Sequence, residues 1–476
     1  MNSEQRLAAY IVEATSSGLD PEAVTRAHTT IADTVGVALA GSTTQTARTA
    51  LEQLRLGGDL HESAPGRLVG LSERASWASA ALYNGTAAHA LDYDDASRPS
   101  NAHLSCSIVA ALLSVCPDDE LFSEEFVTAY LLGYEVGAKL GRVLPKGRRG
   151  PAWHPTGVLG PIACAAAVAR LLHLDHAQVV HALGIAATTS SGLRANFGSM
   201  TKPFHAGHSA RSGVTAATLA LAGFESSGAV LDAETGFFRA FGTQSPSVVA
   251  AEADRAIGAF GDPWEICTDM GALVKFYPAC AQTHPGIEAA QLVRERLEGD
   301  EVATVYVGVS QHTPATLTYH RPTTGLQGKF SMEYVVALAL AGRPVVIDSF
   351  TDEAVADPEL RDLMQLVTVR VDPRVEASPE SAAVVGVVTR SGRTLEELVE
   401  FPKGNGRRWL SLRDQRDKFR DTAGRVLSVA AADELFALLT VRGPGRPEIA
   451  EYLQVGDAYR RRDGHPDSSG PGRPRL

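Results

Sequence analysis

The stretch NFGSMTKPFHAGHSARSGVTAATLA, residues 196–220, sets the reading of the chain. From Gly207 onward it is a run of small residues at helical spacing, which predicts a closely packed, buried helix. Ahead of that helix, Lys202, His205 and His208 fall in the loop and first turn. A helix start carries unsatisfied N–H groups and the positive end of the macrodipole. A lysine added there predicts a site for an anion, most simply a carboxylate or phosphate.

The composition around this stretch is consistent with such a helix. Hydrophobic residues make up 44% of the 476 residues and aromatics only 6%, so the interior is built from Ala, Val and Leu, which favours tight helix packing. The length predicts two or three domains with a sizeable core. Lys plus Arg number 44 against 55 Asp plus Glu, a net charge of −11, which excludes a nucleic-acid binder relying on a broad basic surface. Any anionic ligand must therefore be held by local charge. Five scattered cysteines with no CxxC pair read as reduced thiols in a cytoplasmic protein. The N-terminus lacks a basic segment followed by an apolar one, so no secretory signal is read. Apolar runs such as 160–172 fall short of the roughly 20 residues needed to span a bilayer, so no membrane partner is expected.

Working outward, residues 3–260 read as almost wholly helical. Asp20 and Ser123 are expected as N-caps and Gly41 as a stop. The period changes near 258–263. Strands are predicted at 302–310 and 366–371, and a hairpin at 383–399 turning on Gly392, with helices at 285–297, 331–340 and 357–366 between them. The helical pattern returns over 412–439, too short to stand alone, and is expected to pack back on the first domain. The fold class is thus mainly α. Residues 1–262 and 403–456 are read as a helical domain, 263–402 as an inserted, smaller α+β domain, and 457–476 as a disordered tail.

Four loops share the design of the opening stretch. His89–Asp95 with His103, Trp153–Thr156, Thr201–His205 and Lys275–Pro285 each set titratable side chains ahead of a predicted helix, with Pro155, Pro203 and Pro285 at or near first turns. Converged, they would form a pocket of two lysines, several imidazoles and N–H donors beside a carboxylate cluster. Such a pocket suits a small acid with more than one carboxylate and can move a proton beside one of them. Asp92, Asp94, Asp95 and His103 are also metal-ligand types, but two lysines aimed at the same pocket would repel a cation, so no metal is expected. Phosphate-loop, GxSxG and HExxH motifs are missing. Cys280 near His284 lacks a third orienting residue and reads as a structural or substrate-lining thiol rather than a nucleophile.

The segments HALDYDD with a following His, WHPTGVLGPIACAAAVARLL, GLRANFGSMTKPFHAGHSARSGVTAATLALAGF, KFYPACAQTHPGIEA and RPTTGLQGKFSMEYVVALAL together resemble the MmgE/PrpD family, over about residues 5–440. The resemblance implies a helical domain assembled from both chain ends, an inserted α+β lid, a homodimer, and a site between the domains without cofactor or metal. It implies a lyase, a decarboxylase or dehydratase of a small di- or tricarboxylic acid, with an epimerase using the same pocket or a non-catalytic carboxylate binder as alternatives. By motif it implies Asp92, His103, His154, Lys202, Lys275 and Tyr319 as catalytic residues. Cys280, His205, Arg194 and His284 join the two lysines as substrate-binding residues. The lysine-bearing TKPFHAG loop differs from the segment expected of the family's methylcitrate dehydratases.

Overall fold

The structure is a computed structural model, which describes residues 1–144, 152–242, 244–376 and 382–455. The tail expected at 457–476 lies outside the described residues. The fold is mainly helical. Nine helices lead the chain: α1 (Ser3–Glu13), α2 (Pro21–Gly41), α3 (Gln45–Gly57), α4 (Trp77–His89), α5 (Leu104–Val115), α6 (Glu124–Val143), α7 (Pro155–Leu171), α8 (His176–Thr188) and α9 (Thr201–Leu221). Asp20 caps α2 by accepting from the Glu22 N–H, and Ser123 caps α6 by accepting from Phe126, as the sequence pattern predicts.

Helix α9 is central, packed against α4, α5, α7 and α8. Small residues let it approach closely. A β-carbon on Gly207 would collide with the Leu82 carbonyl and Thr86 hydroxyl of α4, and one on Gly213 with Cys164 of α7. Helix α7 carries an interior proline, Pro161, which removes the donor owed to the Gly157 carbonyl. The Ser191 N–H donates to that carbonyl instead, at 3.1 Å, and the Ser190 hydroxyl caps Val158 O at 2.7 Å.

Two sequence expectations need correcting. Helix α9 starts at Thr201 rather than near residue 206, so Lys202 and His205 lie within it. Pro203 falls in the first turn, where its missing N–H has no intrahelical partner to lose, and the helix runs through it. Gly41 is not a stop but the last residue of α2, followed by Ser42 in right-handed helical geometry. Its lack of a β-carbon serves packing, because one there would overlap the Ala87 carbonyl of α4.

The buried apolar residues fall into two main clusters. One runs from Leu7 to Ala272 and takes in Phe419, Leu435, Leu439 and Leu453; the other runs from Tyr277 to Val399. The helix Leu412–Ala423 lies along α2, where Lys418 reaches Asp33 at 2.6 Å. The second cluster lies under a four-stranded sheet ordered β4-β3-β5-β6, with β3 (Val302–Val309) parallel to β4 (Val367–Val371) and antiparallel to β5 (Ala383–Thr389), which pairs with β6 (Thr394–Val399). Gly392 turns the hairpin with φ +90. A short ribbon, β1 (Gly66–Arg67) with β2 (Arg74–Ala75), completes the strands among the described residues. All five cysteines are unpaired, and no described helix is long and apolar enough to cross a membrane.

Candidate active site

Four elements deliver the polar cluster. Helix α4 ends on His89, and the loop behind it carries Asp92, Asp94 and Asp95. His103 and His154 stand at the N-caps of α5 and α7, while Lys202 and His205 lie on the first two turns of α9. Lys275 comes from the segment between the two apolar clusters. Asp92 adopts φ +50, a left-handed conformation that Asp tolerates better than most side chains. Lys275 holds it there, donating to its backbone carbonyl at 2.8 Å and to Oδ1 at 2.6 Å.

Two carboxylates organise the charge. Asp92 Oδ1 also accepts from Lys202 Nζ at 2.9 Å, so one oxygen stands between two ammonium groups. Burial alone would raise this carboxyl, but Lys202 and Lys275 override it and hold Asp92 well below the usual carboxylate range. Burial likewise opposes the charge on Lys275, and Asp92 reverses that, raising its pKa. Asp94 serves imidazoles instead. Its Oδ1 lies 2.8 Å from His89 Nδ1 and its Oδ2 lies 3.2 Å from His103 Nδ1. His89 Nε2 accepts from Lys202 at 2.7 Å, which fixes the proton of His89 on Nδ1. His103 Nδ1 also faces the Asp95 carbonyl at 2.9 Å, so its proton sits there too and Nε2 is left as a lone pair, 4.0 Å from Asp92 Oδ1.

Burial, with Lys202 and Lys275 close by, keeps these imidazoles neutral. His89 is pushed down to about 3, and His103 is lowered as well. His154 lies well below its usual value for the same reason, burial first and then Lys202. A neutral imidazole with its Nδ1–H on a carboxylate and its Nε2 free is a proton acceptor held in the right tautomer. Asp95, buried beside Asp94, is pushed up to about 7 by burial.

The remaining expected residues divide. His205 is on the cluster, with Nδ1 3.0 Å from His154 Nδ1. Cys280 is packed within electrostatic reach of Asp92, Lys275 and Lys202, and burial raises its thiol. Tyr319 and Arg194 are near the site but bonded to the chain: the Tyr319 hydroxyl donates to the Phe197 carbonyl at 2.8 Å, and Arg194 donates to the Ala315 carbonyl and Thr316 hydroxyl, each at 2.9 Å. His284 is fully buried with Nε2 3.3 Å from the Ala279 carbonyl. The sequence reading weighed Asp94 only as a metal-ligand type and gave no site role to His89 or to Lys329, which lies in the quoted RPTTGLQGKFSMEYVVALAL segment. His89 and Asp94 lie in the HALDYDD segment that it quoted. The side chain of Lys329 donates to the Leu91 and Pro278 carbonyls, both at 2.7 Å, directly behind Asp92.

His89, Asp92, Asp94 and His103 have ligand atoms within 4.8 Å of one another, a spacing a metal ion can use. Among the atoms these residues offer, Asp92 Oδ1 and His89 Nε2 already accept from ammonium groups. The donor set therefore suits the lysines better than a cation.

A mainly helical chain with acid–base side chains gathered at helix starts and two lysines sharing one carboxylate is the class of protein that the fold and cluster define. Residues 5–249 match the MmgE/PrpD N-terminal domain and residues 277–440 the MmgE/PrpD C-terminal domain, and the chain belongs to the MmgE/PrpD family. It is 28% identical over 397 residues to the cis-aconitate decarboxylase of Homo sapiens, spanning 78% of this chain and 80% of that one. The Mus musculus enzyme of the same name is 28% identical over 375 residues, 76% and 74% of the two chains. That of Aspergillus terreus is 26% identical over 363 residues, 71% and 73%.

Proposed function

We propose that this protein is a cofactor-independent lyase, a decarboxylase or dehydratase that acts on a small di- or tricarboxylic acid by moving a proton beside a carboxylate. The observation that carries the reading is the pairing of Asp94 with His103 next to the Lys202–Asp92–Lys275 bridge. Each ammonium has three N–H groups and spends two of them on the chain, so each keeps one for a substrate carboxylate. His103 Nε2 takes a proton from carbon, Asp94 stabilises the imidazolium that forms, and the lysines stabilise charge developing on the carboxylate. His154 supplies a proton as the acid: to the leaving hydroxyl in a dehydration, or, in a decarboxylation, to the carbon that loses CO2, where the proton held by His103 also goes back to carbon. Residues 263–402 act as the lid over the helical domain of 1–262 and 403–456, carrying Lys275 and Tyr319 to the site; the separate apolar cluster of 277–399 supports that division. Exposed apolar side chains beside and along α9, including Met200, Phe204 and Leu221, support a homodimer. The unpaired cysteines agree with a cytoplasmic setting.

The test is turnover of a panel of di- and tricarboxylic acids that includes cis-aconitate, followed by NMR. Lys202→Ala and His103→Ala should each lower kcat/KM by about 100-fold or more with the fold intact. Wild-type rates in both variants would remove the site assignment. Chelator should leave the rate unchanged, and a loss restored by a divalent ion would overturn the metal-free mechanism. His103 and His154 are two neutral imidazoles on different helices, and that arrangement favours an epimerase as the second reading. Solvent deuterium entering the acid, with no CO2 or water lost, would select it.

A further inference from the structure

His205 shares no hydrogen bond with the Asp92 bridge among the described residues, and its Nδ1 is spent on another imidazole. His154 and His205 face each other through Nδ1 atoms 3.0 Å apart, their ring centroids 5.2 Å apart. Two neutral imidazoles at that distance share one proton: one Nδ1 donates, the other accepts. The pair is boxed in place. The Gly192 carbonyl accepts the His154 backbone N–H at 3.0 Å, and Gly192, at φ +112, lies so close to the His205 ring that a β-carbon there would press on it. Phe197 meets the His154 ring edge-on at 4.9 Å, with Lys202, His89 and His103 beyond. His154 Nε2 has no protein partner among the described residues, so it is the nitrogen left for the pocket. His205 is itself 5% exposed; its chain neighbour Phe204 is exposed and stacks on half-buried His208, their ring centroids 5.8 Å apart.

We propose that His205 is a positioning residue that sets the tautomer of His154 and resupplies its proton from solvent. The inference rests on the lyase reading, because a decarboxylation replaces CO2 with a proton on carbon and so consumes one proton per turnover. While substrate fills the pocket, bulk water cannot reach His154, which is 2% exposed, so the proton must come through Nδ1 from His205. In the relay, His154 Nε2–H transfers its proton to substrate carbon. The His205 Nδ1–H proton moves to His154 Nδ1, and a buffer acid or water protonates His205 Nε2. Both rings end neutral with their protons on the opposite nitrogens. The reverse shift, with water protonating His154 Nε2 in the emptied pocket and His205 Nε2 releasing its proton outside, resets the pair.

Two variants of the full-length protein separate position from proton supply. His205→Gln keeps a hydrogen-bonding side chain but cannot carry a proton through, and His205→Ala leaves room for free imidazole. In dilute buffer with cis-aconitate, both should lose about 100-fold in kcat with little change in KM. Imidazole should restore the Ala variant in a concentration-dependent way, while the wild type stays indifferent to buffer concentration. A Gln variant turning over within twofold of wild type in dilute buffer overturns the relay, whether or not the Ala variant folds. So does a folded Ala variant that imidazole does not restore. If the wild type turns over no acid in the panel, the lyase reading has failed, and the pair is judged by 15N NMR of histidine-labelled protein. A single proton shared between the two Nδ1 atoms, lost in the Gln variant, supports the positioning role; two independent tautomers unaffected by the variant overturn it.

Discussion

At the scale of the residue, the cluster turns on which nitrogen of each imidazole carries its proton. Asp94 fixes two rings at once, through Oδ1 on His89 and Oδ2 on His103, and is itself wholly buried. Burial would raise its carboxyl, yet the two imidazoles hold it well below the usual range, so it remains an acceptor at neutral pH. An amide in its place can donate to Nδ1 and drive the proton to Nε2, which removes the base from His103 and sets an N–H of His89 against the Lys202 ammonium. Asp94→Asn should therefore lower kcat by about 100-fold or more while circular dichroism stays unchanged. A variant with wild-type kcat would show that neither tautomer matters. Little of this was legible beforehand. The motif brought Asp92 and His103 forward, but HALDYDD does not say which of three acids faces lysine and which faces histidine. That depends on the left-handed turn at Asp92, a backbone choice the letters do not encode.

At the scale of the element, the site depends on how closely α4 and α9 cross. The first ends on His89 and the second begins beside Lys202, so their separation sets the 2.7 Å contact between those side chains. Gly85 and Gly207 face one another at the crossing, with no room for a β-carbon on either. Gly207→Ala should push the helices apart, lower stability by about 1–3 kcal/mol, and reduce kcat without altering any side chain of the polar cluster. Thermal unfolding and steady-state rates measure both, and an unchanged Tm would mean that the crossing has slack. Element types were readable in the sequence because periodicity and capping residues are local signals: Asp20, Ser123 and the hairpin at Gly392 all sit where the pattern puts them. The start of α9 was not. A proline four residues ahead of the small-residue run reads as a boundary, whereas a first turn accepts it, and only packing against α4 decides between the two. Gly41 misled for a related reason, since close helix contact and a helix stop both call for glycine.

At the scale of the whole molecule, the two apolar clusters have to be held in register for Lys275 to meet Asp92, and Lys329 spans that junction. Its Nζ donates to the Leu91 carbonyl, next to Asp92, and to the Pro278 carbonyl, three residues beyond Lys275, while its own carbonyl accepts from the Cys280 N–H at 3.0 Å. No sequence motif marks such a role, because its partners are backbone groups far apart in the chain. Burial pushes this lysine down to about 7, against roughly 10.4 for a free side chain. Between those values the unfolded chain holds a proton that the folded one has released, so this lysine's contribution to stability grows as pH rises from about 7 toward 10, by up to about 1.4 kcal/mol per pH unit. Two N–H groups of a neutral amine are enough for the two carbonyls. Lys329→Met would leave both carbonyls without that donor and should be destabilised by about 2 kcal/mol or more near neutral pH. It should also lose the pH-dependent gain. Tm of the two proteins measured from pH 7 to 9.5 should therefore diverge, the gap widening with pH, since every other titrating group is common to both and cancels. Parallel curves would mean that Lys329 stays charged in the folded protein, with a third N–H seeking an acceptor.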